Sequence, residues 1–148
     1  PRSTPLYSSA ASDVYKRQLY NQAAKSNTIS NAIGLAVKQI DPQLTIVGLS
    51  DSLMIDIWKE MDLNVAEEAF ADRAYEADGS LRNRELENAL ITNPTKAAKQ
   101  AMMIIKNGEI ISMDGNTISI NAQTICIHSD TPNALAIAKA VKRRNAEI

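Results

Sequence analysis

The sequence predicts an α/β protein whose parallel strands are covered by helices. Two observations carry this reading. Helical periods alternate with short apolar runs along the chain, and chemically versatile polar residues stand directly after two of those runs. The chain has 148 residues, enough for one domain. Hydrophobic residues make up 45% and aromatic residues only 4%, so the core must be mostly aliphatic. The formal net charge of -1 argues against a nucleic-acid or membrane-surface partner, since both need a basic face. The single cysteine, Cys126, allows no internal disulfide, and a reducing, cytoplasmic setting is the simpler expectation. No apolar run approaches membrane-spanning length, and no charged leader precedes an apolar stretch.

Residues 1–18 (PRSTPLYSSAASDVYKRQ) are rich in Ser, Ala and Pro and have no amphipathic period. They resemble translated sequencing-adapter read-through and are set outside the fold; a natural disordered arm is the alternative. Beyond them, Ile29, Ile33, Val37 and Ile40 recur at helical spacing over 27–40. Asn27 or Thr28 can cap that helix, and Asp41-Pro42 stops it. Residues 44–49 (LTIVGL) read as a buried strand. Ser50 and Asp51 offer cap oxygens to a helix running through Leu63, with Leu53, Met54, Ile57, Trp58 and Met61 as its buried stripe. Residues 65–71 (VAEEAFA) form the next strand, and 72–93 are polar with a turn at Asp78-Gly79.

Pro94 opens a further helix where its missing N–H costs little. Ala97, Ala98, Ala101, Met102 and Ile105 fit its inner face, and Gly108 ends it. EIISM and TISI flank Asp114-Gly115-Asn116, the pattern of a β-hairpin. TICI (124–127) is an apolar strand leading into His128-Ser129-Asp130. Thr131 can cap the last helix, with Pro132 in its first turn and Leu135, Ile137, Ala138 and Val141 as its apolar contacts.

Functional groups of parallel α/β folds gather at the C-terminal ends of strands, and two such ends are polar here. In the first, alternation puts Glu68, Phe70 and Asp72 on one strand face and Glu67 on the other. A buried carboxylate needs a partner, for which Arg73 or Arg84 is available; a surface ion-pair cluster on an edge strand is the plain alternative. In the second, His128 and Asp130 can point to the same side. Next to a helix N-terminus they suit acid–base work or anion binding; alternatively Asp130 caps the helix and His128 meets a backbone carbonyl. One His and one Cys give no metal-ligand spacing, so no metal is expected. The five glycines stand apart, without a phosphate loop, and no nucleophile-elbow motif surrounds Ser129.

Three stretches resemble the LamB/YcsF family. VAEEAFADRAYEADGSLRNR (65–84) carries Glu68, Phe70 to Arg73, Tyr75, Asp78-Gly79, Leu81 and Arg84. TICIHSDTPNA carries His128 and Asp130, and LYNQAAKS (19–26) is similar to the end of a third motif, with Tyr20 and Asn21. Together the stretches span residues 19–148 in the family's order. The resemblance implies part of a (β/α) barrel of the glycoside hydrolase/deacetylase type with its N-terminal half missing, residues 19–148 being the C-terminal part of one such domain. It implies the A subunit of an ATP-dependent 5-oxoprolinase, a hydrolase of cyclic amides that opens the lactam of 5-oxo-L-proline to L-glutamate with subunits B and C. This piece alone is expected to be inactive. The resemblance makes Glu68, Asp72, His128 and Asp130 the candidate catalytic residues. Arg73, Tyr75, Arg84, Tyr20 and Asn21 become candidate substrate-binding residues, the arginines for a carboxylate or phosphate. The alternatives are a barrel hydrolase of the carbohydrate deacetylase type and a non-catalytic subunit that binds a partner through loop 72–90. Ser129 stands where the family usually has Gly, which matters only if the position needs a positive φ.

Overall fold

The computed structural model describes residues 18–146. Of the expected tail, residues 1–17 lie outside that span; Gln18 is described and is helical, as are the residues through 23. The chain divides into two compact units, Pro1–Val65 and Ala66–Ile148.

The first unit holds α1 (Asn27–Ile40), β1 (Thr45–Leu49) and α2 (Leu53–Glu60). Ser26, rather than Asn27 or Thr28, caps α1, its Oγ accepting the Ile29 N–H. The residues of α1 that become fully buried are Ser30 and Gly34, not the isoleucine row; Ile40 is 79% exposed. Close approach explains the shift. A Cβ on Gly34 would lie 2.6 Å from Met61 Sδ and 3.0 Å from Trp58 Cδ1, so only a small residue fits the contact line. Ser30 completes it: its Oγ donates to Ala23 O at 2.6 Å, and its carbonyl accepts Trp58 Nε1–H at 2.9 Å. β1 is buried only at Gly48 and Leu49, so the expectation of a wholly buried strand holds for its last residues alone.

α2 is shorter than its apolar pattern suggests. Ser52 precedes it, but its hydroxyl donates to Leu49 O at 2.6 Å and gives no side-chain cap. At the other end Asp62 adopts φ 56. The Asp62 N–H then meets Lys59 O and the Leu63 N–H meets Trp58 O, a Schellman closure that stops the helix before Leu63. Met54, Ile55, Ile57 and Trp58 are buried, whereas Leu53 faces solvent.

β2 (Asn64–Phe70) begins in the last two residues of the first unit; the second unit holds the rest of it, with α3 (Pro94–Asn107), the antiparallel pair β3 (Glu109–Ile111) and β4 (Thr117–Ser119), β5 (Thr124–Cys126) and α4 (Ala134–Asn145). β2 and β5 run parallel, pairing Glu68 with Thr124, Ala69 with Ile125 and Phe70 with Cys126. Parallel pairing brings both C-terminal ends to the same sheet edge. The helix expected from Pro94 is present. Asn93 Oδ1 accepts the N–H groups of Thr95 and Lys96, and Gly108 closes it at φ 63. Its buried stripe runs Ala97, Ala98, Ala101, Met102 and Ile104, and Ile105 is turned out. Ala71, Ala101 and Met102 pack with Ile125, Ile127 and Val141, which ties β2, α3, β5 and α4 into one core.

Gly48 gives this packing a test. A Cβ there would lie 2.6 Å from Trp58 Cζ3 and 3.0 Å from Ile55 Cδ1, both on buried side chains. Gly48→Ala should cost about 1–3 kcal/mol in urea unfolding. Gly34→Ala should cost less, because the nearest atom is in the flexible Met61 side chain and alanine favours the helix.

Candidate active site

The site forms where β2 and β5 end. The last ladder bond there runs from Ala71 N–H to Cys126 O at 3.1 Å. The next donor, the His128 N–H, goes instead to Asp72 Oδ2 at 3.0 Å, so a side chain extends the ladder. Asp72 is fully buried. Its carboxylate also lies 3.1 and 3.2 Å from His128 Nδ1 and accepts the Thr131 hydroxyl at 2.5 Å. Burial alone would push its carboxyl up. The hydrogen bonds of His128 and Thr131, with the His128 charge, outweigh that and hold it below its ordinary 3.8.

An ionised Asp72 can only accept, so the proton of a neutral His128 sits on Nδ1 and leaves Nε2 to take up or deliver one. The Phe70 ring stacks on the imidazole, with centroids 5.0 Å apart and planes 12° from parallel. The histidine is thus fixed by a carboxylate at one nitrogen and an aromatic face at its side. Gln100 holds the strand end from below. Its Nε2 donates to Phe70 O and Arg73 O, both at 2.8 Å, so α3 sets the position of the Asp72 backbone.

The expected His128–Asp130 pairing is replaced. His128 pairs with Asp72, and Asp130 forms an ion pair with Arg84 at 3.2 Å. Asp130 also caps no helix, and neither does Thr131, because α4 begins only at Ala134 after Asn133 at φ 67. The Thr131 hydroxyl is committed to Asp72, and this is the physical reason. Glu68 is half-buried and makes no hydrogen bond to Asp72 or His128; its charge acts on the Tyr75 hydroxyl. Tyr75 is fully buried and its hydroxyl oxygen accepts the Phe70 N–H at 2.8 Å. Burial pushes its hydroxyl well above the ordinary 10.0, so it stays protonated, and it braces the end of β2 from inside the unit rather than from an exposed face.

Arg73 is buried, with Nη2 donating to Arg82 O, while its Nε–H has no acceptor. Burial, then the charge of Arg84, draws its proton affinity down; the carboxylates of Asp72 and Asp130 act the other way. Arg84 Nη2 is also buried without an acceptor. Tyr20 and Asn21 belong to the first unit, Tyr20 half-buried and Asn21 exposed. Ser129 is not among the residues with positive φ, so a serine there is unstrained. Among the described residues no group of three or more His, Cys, Asp or Glu side chains is placed to hold a metal, and no helix is long and apolar enough to cross a membrane.

Three contributors escaped the sequence reading: Thr131, Gln100 and Phe70 as a stacking partner. Thr131 resembled a cap, and Gln100 was one polar residue on an otherwise small-residue helix face. Phe70 could be placed on the face of Asp72, but not opposite an imidazole from another strand.

The Asp72 network makes stability depend on pH. Because the folded carboxyl lies below its ordinary value, its contribution is complete above about pH 4–5 and is lost as pH falls through the folded value. Asp72→Asn should therefore cost about 1–3 kcal/mol at pH 7, with the difference from the parent shrinking in acid. Thr131→Val should show a smaller loss with the same pH trend in denaturant titrations at pH 7 and pH 3.

Comparison with known proteins gives this geometry its context. The A subunit of 5-oxoprolinase from Chloroflexus aggregans is 48% identical over 124 residues, 84% of this chain and 49% of that protein. Its counterpart from Heliobacterium modesticaldum matches to the same extent, and the one from Halalkalibacterium halodurans is 43% identical over 130 residues. The crystal structure of the lactam utilization protein from Thermus thermophilus superposes with a TM-score of 0.76 at 34% identity, covering 86% of this chain and 52% of that one. The chain thus spans about half the length of the curated relatives it matches. The LamB/YcsF profile matches residues 16–147, and with these relatives it establishes that the chain belongs to the LamB/YcsF family.

Proposed function

We propose that this chain contributes the Asp72–His128 acid–base pair of an ATP-dependent 5-oxoprolinase, working as part of its A subunit with subunits B and C. One observation carries the reading: a buried carboxylate and an oriented imidazole meet at the ends of two parallel strands, in a family whose relatives are named for this activity. We further propose that β2 and β5 are neighbouring strands of a (β/α) barrel, residues 19–148 forming the C-terminal part of that domain.

The chemistry suits these residues. A five-membered lactam is a resonance-stabilised amide and resists attack by water. ATP would supply activation, by phosphorylating the carbonyl oxygen and so making the ring carbon electrophilic. His128 Nε2 then removes a proton from the attacking water, while Asp72 holds the Nδ1–H and stabilises the imidazolium that forms. Glu68 stands on the Phe70 face of β2 and is the second candidate acid–base group, for protonating the departing ring nitrogen. The acyl phosphate that ring opening leaves is cleaved by a second water, which gives the glutamate carboxylate and inorganic phosphate. The unpartnered donors of Arg73 and Arg84 fit the oxyanions such a reaction brings, a substrate carboxylate or a phosphoryl group. A protein-supplied electrostatic environment of this kind acts without reorganising during the reaction.

The test uses the chain extended by its family N-terminal half and mixed with B and C subunits. His128→Gln should lower ATP-coupled glutamate formation about 10²–10⁴-fold, and Glu68→Gln should lower it as well. Wild-type rates in both variants would remove the assignment.

A further inference from the structure

Arg73 and Arg84 present an unusual combination. Arg73 is 5% exposed, and its guanidinium spends one donor on the Arg82 carbonyl while Nε–H meets nothing. Arg84 spends Nη1 on Asp130 and leaves Nη2 buried without an acceptor. Buried donors without acceptors are rare in folded proteins, because each forfeits its hydration. The two cations also act on each other, since the charge of Arg84 disfavours the charged form of Arg73. Asp72 cannot relieve them, because its oxygens already serve His128 and Thr131. Asp130, whose side chain is 46% exposed, reaches the outer arginine by a hydrogen bond and leaves both idle donors unmet.

We infer that Arg73 and Arg84 form a carboxylate-binding site in which Asp130 occupies the ligand's place until the ligand arrives. The planar fork of guanidinium groups matches the two oxygens of a carboxylate, and Arg84 already holds one here. An incoming carboxylate satisfies the idle Nε–H and Nη2–H together, which Asp130 does not do. Asp130 is released to solvent and becomes an exchangeable counter-ion rather than a proton carrier. Arg73 follows Asp72 directly and Asp130 lies two residues past His128, so the bound anion sits beside the acid–base pair. The lactam reading supplies the ligand's name, the carboxylate of 5-oxo-L-proline; the site itself rests on the arginines alone.

The experiment uses the one histidine of the chain as its reporter. The imidazole signals of His128 are followed by NMR while 5-oxo-L-proline, cyclopentanecarboxylate, 2-pyrrolidinone or inorganic phosphate is added. Both carboxylates should shift the signals saturably, and 2-pyrrolidinone, which lacks the charge, should bind at least about tenfold more weakly. Asp130→Asn should tighten carboxylate binding about two- to fivefold, the worth of an exposed ion pair. Arg84→Gln should weaken it about tenfold or more. If Arg84→Gln fails to fold, the exposed Asp130→Asn substitution decides alone. Unchanged or weaker binding in Asp130→Asn overturns the exchange, and phosphate binding more tightly than both carboxylates overturns the carboxylate assignment. If cyclopentanecarboxylate binds as tightly as 5-oxo-L-proline, the anion site stands and the lactam reading loses its support. If no carboxylate binds while glutamate formation persists in the assembled enzyme, the anion site falls and the lactam reading stands.

Discussion

The buried carboxylate of Asp72 is the constraint on which the second unit depends. A lone ionised carboxylate in that position would be strongly unfavourable, so the fold must bring donors to it. It does so with a backbone N–H, an imidazole and a hydroxyl, all from the segment that follows β5. Each donation has a structural consequence. The backbone bond carries the parallel ladder past its last regular pair, and the ring bond fixes which imidazole nitrogen is left for chemistry. The hydroxyl bond takes Thr131 away from the helix it would otherwise cap, and α4 starts later, at Ala134.

The loop between β2 and α3 is built around the same point. Arg73 and Leu90 form a bridge, as do Tyr75 and Leu81, and Arg82 ties the loop internally through Glu76 and the Glu87 carbonyl. Tyr75 and Gln100 grip the β2 end from within. A stretch that reads as twenty or so polar residues is therefore an ordered scaffold, held by these hydrogen bonds together with the burial of Ala74, Tyr75 and Ala89. The arginines are held in place by that scaffold while Arg73 Nε–H and Arg84 Nη2–H stay without an acceptor.

Much of this was legible in the sequence where the deciding physics is local. Pro94 and Gly108 mark α3 because one lacks an N–H and the other tolerates a left-handed turn. Asp114-Gly115-Asn116 marks a tight reversal, and the family motifs flag Asp72 and His128 as chemically important. Their pairing was not legible. They are 56 residues apart, and Asp130 lay closer in sequence and looked the better match. Helix faces failed for a related reason: in α1 the contact line follows Ser30 and Gly34, because close approach to Trp58 rewards small size over hydrophobicity. α2 stops early through the left-handed Asp62, a conformation that an aspartate tolerates but does not announce.

The indole of Trp58 has a practical consequence beyond packing. It is the only tryptophan in the chain, it is sealed inside the first unit, and its N–H is held by the Ser30 carbonyl. His128, the only imidazole, belongs to the second unit. Intrinsic emission and ring-proton spectra thus watch different halves of the same molecule without any label. Comparing the two signals through one denaturation curve would reveal whether the halves melt as one body or in sequence.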